Sequence, residues 1–287
     1  MAAALLLAAC GGDAPPQDTF STDEGQEGTV QDTRLRKTRN IFYNIPSPME
    51  TAALLKKAGA DYNGKLLNDV KNVDRYTAAS KQALNLGVYG ADLSYASVFN
   101  QTQESMFYTS CAKKLADRLG VSGAFNDGTL ERMEKNMQDR DSLLNIISET
   151  YWEVDAYLKE NDREHLSALM VVGGWVEGLY IATQVAATSN SAELRQRVAE
   201  QKLSLGDLLG LLDSYEGEDP ALDGVRADMR SLENLFAAVE IPAGGSSVTQ
   251  ENGVTVIGGG APTAGLTQEQ LTAIRDRAAA IRTNYIN

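Results

Sequence analysis

Residues 164–187 read EHLSALMVVGGWVEGLYIATQVAA and form the most apolar stretch of this chain. Taken alone it resembles a membrane span, which needs ~20 predominantly apolar residues. It nevertheless contains Glu177, Gln184 and three glycines, and it lies between polar segments. We therefore predict that it is the buried central helix of a helical protein rather than a transmembrane helix.

The flanking segments repeat apolar residues at helical spacing from about Ser47 to Val239. Ser47-Pro48-Met49-Glu50 combines a capping serine, a proline in the first turn and a capping-box glutamate. Short loops with Gly or Asn separate the segments, as in antiparallel bundles. The sequence predicts an all-α fold, an antiparallel multi-helix bundle over residues 40–241. The expected helices are 47–59, 65–70, 74–100, 103–119, 129–137, 141–160 (capped by Asp141), 164–187, 191–215 and 220–239.

Residues 242–287 have a different character, beginning with a stretch rich in Gly, Ser and Thr. Asn252-Gly253 separates two β-prone runs, which predicts one late β-hairpin over residues 247–257. A last helix follows from Thr267. Its apolar stripe should dock on the bundle and consists of Leu271, Ile274, Ala278, Ile281 and Tyr285.

The N-terminus has the pattern of a bacterial lipoprotein signal. Eight apolar residues, Ala2 to Ala9, end in Leu7-Ala8-Ala9 and are followed by Cys10. In this pattern a signal peptide (1–9) is removed and the cysteine is acylated, for example with palmitate. Residues 10–39 lack large apolar runs and predict a flexible tether. Because Gly11, not Asp, follows the cysteine, we expect the outer rather than the inner membrane. The alternative is an Ala-rich N-terminus without a signal function.

Composition excludes several functional classes. A net charge of −13 argues against nucleic-acid binding. The single histidine, His165, rules out a multi-histidine metal site and weakens any catalytic relay, and no phosphate-binding glycine loop is present. We expect no cofactor, no metal and no enzymatic activity. With Cys10 acylated, Cys111 has no disulfide partner, and its helical surroundings predict a buried thiol.

Two segments carry stripes of small residues at helical spacing. One runs through Gly87 and Gly90, and the other through Gly174 and Gly178. Because glycine in a helix is less stable than alanine by ~1 kcal/mol, these residues require a structural reason. Close approach of two backbones supplies it. We predict that the two helices cross at the centre of the bundle.

The same segments contain the carboxylates Asp92 and Glu177, which must be paired or protonated if they are buried. A structural interpretation gives them tyrosine hydrogen bonds or an arginine such as Arg132 or Arg163. A functional interpretation makes them part of a pocket for a small polar or cationic ligand. The residues that would line that pocket are Asp92, Glu177, Tyr89, Tyr95, Trp175 and Tyr180.

Two stretches carry a resemblance to a known class of proteins. Ile45-Pro46-Ser47-Pro48-Met49-Glu50 and Leu86-Gly87-Val88-Tyr89-Gly90-Ala91-Asp92 resemble those of uncharacterised bacterial lipoproteins with helical ectodomains. The resemblance spans residues 41–187 and implies the helical class and the envelope location. It implies no activity and no site residues.

These observations predict a lipid-anchored cell-envelope protein, facing the periplasm or the cell surface, that acts by non-catalytic binding. One hypothesis is an interaction module in an envelope assembly, with a filled core and an exposed apolar patch. The alternative is a small-ligand-binding or sensor component with a pocket at Asp92 and Glu177. A hydrolase using these two carboxylates would require both to face one accessible cleft.

Overall fold

The computed structural model describes residues 48–136, 139–189, 191–215, 217, 219–241, 246–251, 254–259 and 266–287. The predicted signal peptide, Cys10, the tether and the Asn252-Gly253 turn lie outside this part of the chain. The described elements are overwhelmingly helical and pack around a common apolar core. The predicted class, a mainly α-helical bundle, is confirmed.

Between residues 79 and 236 the α-helices follow one another with short connections. Two 3-10 turns, Gly64–Leu66 and Val70–Arg75, separate the first helix from the second. The helices are α1 Pro48–Lys57, α2 Ala79–Val98, α3 Thr102–Leu119, α4 Asp127–Lys135, α5 Arg140–Glu160, α6 Glu164–Thr188, α7 Ala192–Asp213, α8 Pro220–Phe236 and α9 Gln268–Ile286.

Local capping explains where several boundaries differ from the prediction. The helix expected from residue 74 begins at Ala79, because Asp69 caps the preceding 3-10 turn and Ala78 is extended. Helix α5 is capped by Asp139, whose side chain accepts from the Ser142 amide, and not by Asp141. Helix α3 ends as predicted at Gly120, which adopts a φ of 72°.

Helices α2 and α6 form the centre of the bundle and make its most extensive helix–helix contact. Gly87 lies against Met170 and Gly174, and further along the same pair Tyr95 and Ile181 line one small space. Contacts therefore advance in the same direction along both helices, which makes the central pair parallel. Helices α3, α4 and α5 intervene between the two and return the chain to the end of the bundle at which α2 begins.

Helix α6 is the one described helix that is long and apolar enough to cross a membrane. Within its most apolar window 89% of the residues are buried inside the protein. Helices α1, α2, α5, α7 and α9 all pack against it. This burial confirms the prediction of a central core helix.

The C-terminal segment returns to this core. A capping box formed by Thr267 and Gln270 begins α9, and the predicted stripe of Leu271, Ile274, Ala278, Ile281 and Tyr285 is buried. Before it, β1 (Ser246–Glu251) pairs antiparallel with β2 (Val254–Gly259), with Val248 opposite Ile257. The turn and the side chains of these strands lie outside the described residues, so the hairpin as a unit stays a prediction.

Candidate functional site

The centre of the molecule is shaped by two glycines that permit close contact between α2 and α6. A Cβ atom on Gly87 would lie 2.0 Å from the carbonyl oxygen of Met170, and one on Gly173 would lie 1.9 Å from that of Leu84. Neither position accommodates any side chain. The backbones therefore touch directly, which brings polar groups on both helices into the same buried layer.

The predicted stripe of small residues is only partly the contact face. Gly174 belongs to it, since its amide nitrogen would lie 2.6 Å from a Cβ on Gly87. Gly90 instead accommodates the Tyr151 side chain of α5, whose hydroxyl donates to the carbonyl of Leu86. Gly178 faces open space, with no atom within 4 Å of its Cβ position. The expectation of close helix packing is wrong at Gly178, because the contact runs through Gly173 instead.

A buried ion pair occupies the layer beyond these glycines. Glu177 on α6 is 0% exposed and receives two hydrogen bonds from Arg282 on α9, from Nε at 2.6 Å and from a terminal nitrogen at 2.8 Å. Arg282 also donates to the carbonyl of Leu66 at 2.9 Å and stacks on Tyr180, 4.3 Å from the ring centroid. This two-point geometry is the strong form of an arginine–carboxylate pair.

Asp92 on α2 joins this pair from the other side. It is also 0% exposed, and its Oδ2 accepts from the amide of Asn68 at 3.1 Å. Burial, and after it the neighbouring charge of Glu177, hold the pKa of Asp92 well above its usual range, although Arg282 acts in the opposite direction. Burial therefore favours the protonated form of Asp92, whose Oδ1 is buried without a hydrogen-bond partner among the described residues.

The end of α9 is held in register by donors from the rest of the bundle. Lys81 donates to the carbonyl of Asn284 at 2.5 Å, Asn85 to that of Tyr285 at 2.9 Å, and the Tyr76 hydroxyl to that of Ile286 at 3.1 Å. The final carbonyls of a helix have no partner within the helix. These donors satisfy three of them and thereby place Arg282 opposite Glu177.

The arginine suggested as the partner of these carboxylates was wrongly identified. Arg132 pairs with Glu149 at 2.6 Å, and Arg163 donates to the carbonyl of Leu119 at 2.6 Å. Sequence reasoning missed Arg282. A signal was present, since Arg282 lies between Ala278 and Tyr285 at the spacing of the buried stripe, where a surface arginine is not expected.

The six residues of the predicted pocket do not converge on one cavity. Glu177 and Tyr180 meet at Arg282, and Asp92 interacts electrostatically with both Glu177 and Arg282. Tyr89 donates to the carbonyl of Asp69 at 2.9 Å, and the Tyr95 hydroxyl accepts from the Asn63 amide at 3.3 Å. The indole nitrogen of Trp175 is buried without a hydrogen-bond partner among the described residues.

Because Asp92 and Glu177 have no exposed surface, they do not form an accessible pocket or a hydrolytic cleft.

Elsewhere, Asp155 accepts from Ser167 and pairs with Lys159, which ties α5 to α6 within a buried contact. Cys111 is buried as predicted, and this burial raises the pKa of its thiol to about 11. In the described ranges, no group of three His, Cys, Asp or Glu residues could hold a metal ion.

Comparison with known protein families, curated proteins and solved structures finds no match for this chain.

Proposed function

We propose that this protein is a lipid-anchored component of the cell envelope, acylated at Cys10, that acts by binding a protein partner. The apolar run ending in Leu7-Ala8-Ala9-Cys10 supports the anchor. Its place in the outer membrane follows from Gly11, and the resemblance to bacterial lipoproteins with helical ectodomains is consistent with both. Under this proposal the helical bundle binds the partner, and the lipid holds the bundle near the membrane.

One observation on the bundle surface carries the binding proposal. Met106 and Phe107, adjacent on α3, are 46% and 49% exposed. Their exposed neighbours on the same face are Gln103 and Ser110, and the Ser110 hydroxyl is turned back onto the carbonyl of Met106. Methionine and aromatic residues are enriched in protein–protein interfaces relative to the remaining surface. We call this surface, formed by Met106 and Phe107, the α3 patch.

The alternative of a ligand pocket at Asp92 and Glu177 is less well supported. A cationic ligand there would compete with Arg282, which already supplies two hydrogen bonds to Glu177. The ligand would also have to displace α9 to enter. The closed polar layer therefore favours the interaction module over a ligand pocket at these two carboxylates.

Photo-crosslinking in the native envelope tests the α3 patch. A photoreactive residue replaces Phe107 in the full-length chain. The matched control replaces Leu203 on α7, which is 66% exposed. We expect one discrete adduct from position 107 that disappears when Met106 is also changed to Lys. An adduct of equal yield from both positions, or none from position 107, would contradict the proposal.

The anchor is tested separately with Cys10→Ser. We expect the parent chain to incorporate radiolabelled palmitate and to sediment with membranes. The variant should lose the label and become soluble, because the acyl chains supply the membrane affinity. A variant that stays membrane-bound would refute acylation as the anchor without affecting the α3 patch.

A further inference from the structure

A cavity lies between α1, α6 and α7. Its volume is about 70 Å³. The apolar part of its wall is formed by Leu54, Leu55, Gly178, Leu179, Ala182 and Leu194. Thr51, Arg197, Glu200 and Gln201 supply the polar part. The space is therefore an apolar recess with a polar mouth.

Gly178 marks this recess as unusual within the core. It is buried in the middle of α6, yet its Cβ position has no atom within 4 Å. Gly87 and Gly173 are required by backbone contact, whereas no such contact requires Gly178. Glycine within a helix is less stable than alanine, and an empty apolar cavity is also destabilising. Both features occur at the same place, and a bound molecule would account for both.

A smaller space continues the recess toward the centre of the bundle. It shares Thr51, Leu55 and Gly178 with the main cavity and reaches Ala91 and Tyr95 on α2. Its volume is only about 10 Å³.

We propose that this recess binds the end of an unbranched alkyl chain belonging to an amphiphile. A dry engineered cavity of about 150 Å³ holds benzene, which has six carbons. By that proportion the recess accepts about three carbons, too few for a complete lipid. The rest of the molecule leaves through the mouth. There the Arg197–Glu200 pair, joined at 2.8 Å, and Gln201 can hydrogen-bond its polar head.

The same chemistry has two sources. One is a free amphiphile of the envelope. The other is the acyl group that we propose on Cys10 of the same chain. The recess itself is independent of the partner-binding proposal, since none of its wall residues belongs to the α3 patch.

The test uses the full-length Cys10→Ser chain without detergent, titrated with 1-octanol by calorimetry and by thermal unfolding. 1,8-Octanediol is the ligand control, because its second hydroxyl would be buried without a partner. We expect saturable octanol binding that raises the melting temperature and a much weaker effect of the diol. No saturable binding, or equal binding of both alcohols, would overturn the proposal.

Two variants locate the binding. Gly178→Leu places four carbons in the recess and should weaken octanol binding by about tenfold or more. Gly178→Ala, whose Cβ meets no atom, should fold normally and weaken it less. Gly206→Leu on α7, an exposed glycine with equally open surroundings, is the control and should leave binding unchanged. Binding that survives both Gly178 variants would show that the recess is not the site.

The acylated chain in nanodiscs distinguishes the sources. Octanol binding that is lost on acylation would assign the recess to the chain's own acyl group. Binding equal to that of the Cys10→Ser chain would assign it to a free amphiphile.

Discussion

Arg282 is the residue on which the buried centre depends most directly. It is 8% exposed, it alone forms a salt bridge with Glu177 among the described residues, and it also satisfies the carbonyl of Leu66. Burial by itself would lower the pKa of Arg282, but Glu177 and Asp92 raise it overall, so the guanidinium is always charged. The pair is not a simple gain in stability, since two charges are desolvated. Removing only one partner of the pair is strongly destabilising, because the other charge stays buried without a countercharge.

We expect Arg282→Ala to reduce the free energy of unfolding by about 3–5 kcal/mol, because Glu177 stays buried without its countercharge. Urea unfolding at pH 7 measures the change. The control is Arg230→Ala, which removes an exposed arginine paired with Asp213 and Glu233 and should lower stability by less than about 1 kcal/mol. Equal losses in the two variants would show that burial of the central pair has no energetic consequence.

Asp92 predicts a specific pH dependence. Its pKa in the folded protein is raised above the value of 3.8 expected in the unfolded chain. The folded state therefore holds the proton more tightly, and its stability falls as pH rises above about 4 toward the folded pKa. Asp92→Asn does not titrate. The variant should consequently gain stability relative to the parent chain as the pH rises above about 4.

Urea unfolding of both proteins at pH 4, 6 and 8 measures this difference. Within the window, each pH unit should shift the difference by up to about 1.4 kcal/mol. If the free energies of unfolding of the parent chain and of Asp92→Asn change in parallel with pH, Asp92 is ionised in the folded protein.

At the scale of elements, the contact between α2 and α6 is set by which glycines face the partner. Gly173 and Gly178 lie on the same helix, and both are buried, but only Gly173 touches a backbone. The two residues therefore form a matched pair for testing close approach. A sequence pattern alone treats them as equivalent.

We expect Gly173→Ala to reduce the free energy of unfolding by more than about 2 kcal/mol, because the new methyl would overlap the carbonyl of Leu84. Gly178→Ala should be neutral or stabilising by up to about 1 kcal/mol, as expected for a helix with room for the methyl. Chemical denaturation of the two variants provides the measurement. A larger loss from Gly178→Ala would invalidate the assigned contact face.

At the scale of the whole molecule, α9 completes a core assembled from distant parts of the chain. Its buried stripe covers α6 and α8, Arg282 neutralises Glu177, and its last carbonyls receive donors from α2 and the 3-10 region. The helix is thus an integral part of the bundle rather than an appendage. Its removal should affect the entire domain.

A chain that ends at residue 241 should lose cooperative unfolding and bind hydrophobic dyes, because an apolar face and the charge of Glu177 are both left uncovered. Near-ultraviolet circular dichroism and dye fluorescence are the measurements. Adding Glu177→Gln to the shortened chain should recover part of the native signal. A shortened chain with native spectra would show that α9 is dispensable.

Much of the local structure could be predicted because its causes lie within a few residues. Gly120 ends α3 by adopting a positive φ, and Thr267 begins α9 through its own capping box. The buried stripe from Leu271 to Tyr285 follows from helical periodicity. Helical class, a buried α6 and a docking C-terminal helix were therefore accessible from sequence alone.

The pairing of these elements was decided only by the tertiary structure. Arg282 and Glu177 are 105 residues apart, and several arginines could have served that carboxylate. Gly173 rather than Gly178 meets α2 because the rotation of each helix about its axis depends on all its neighbours. The parallel run of α2 and α6 likewise depends on how the intervening helices fold back. Short-range periodicity determined which faces are buried, but the choice of partner depends on long-range packing that no local pattern contains.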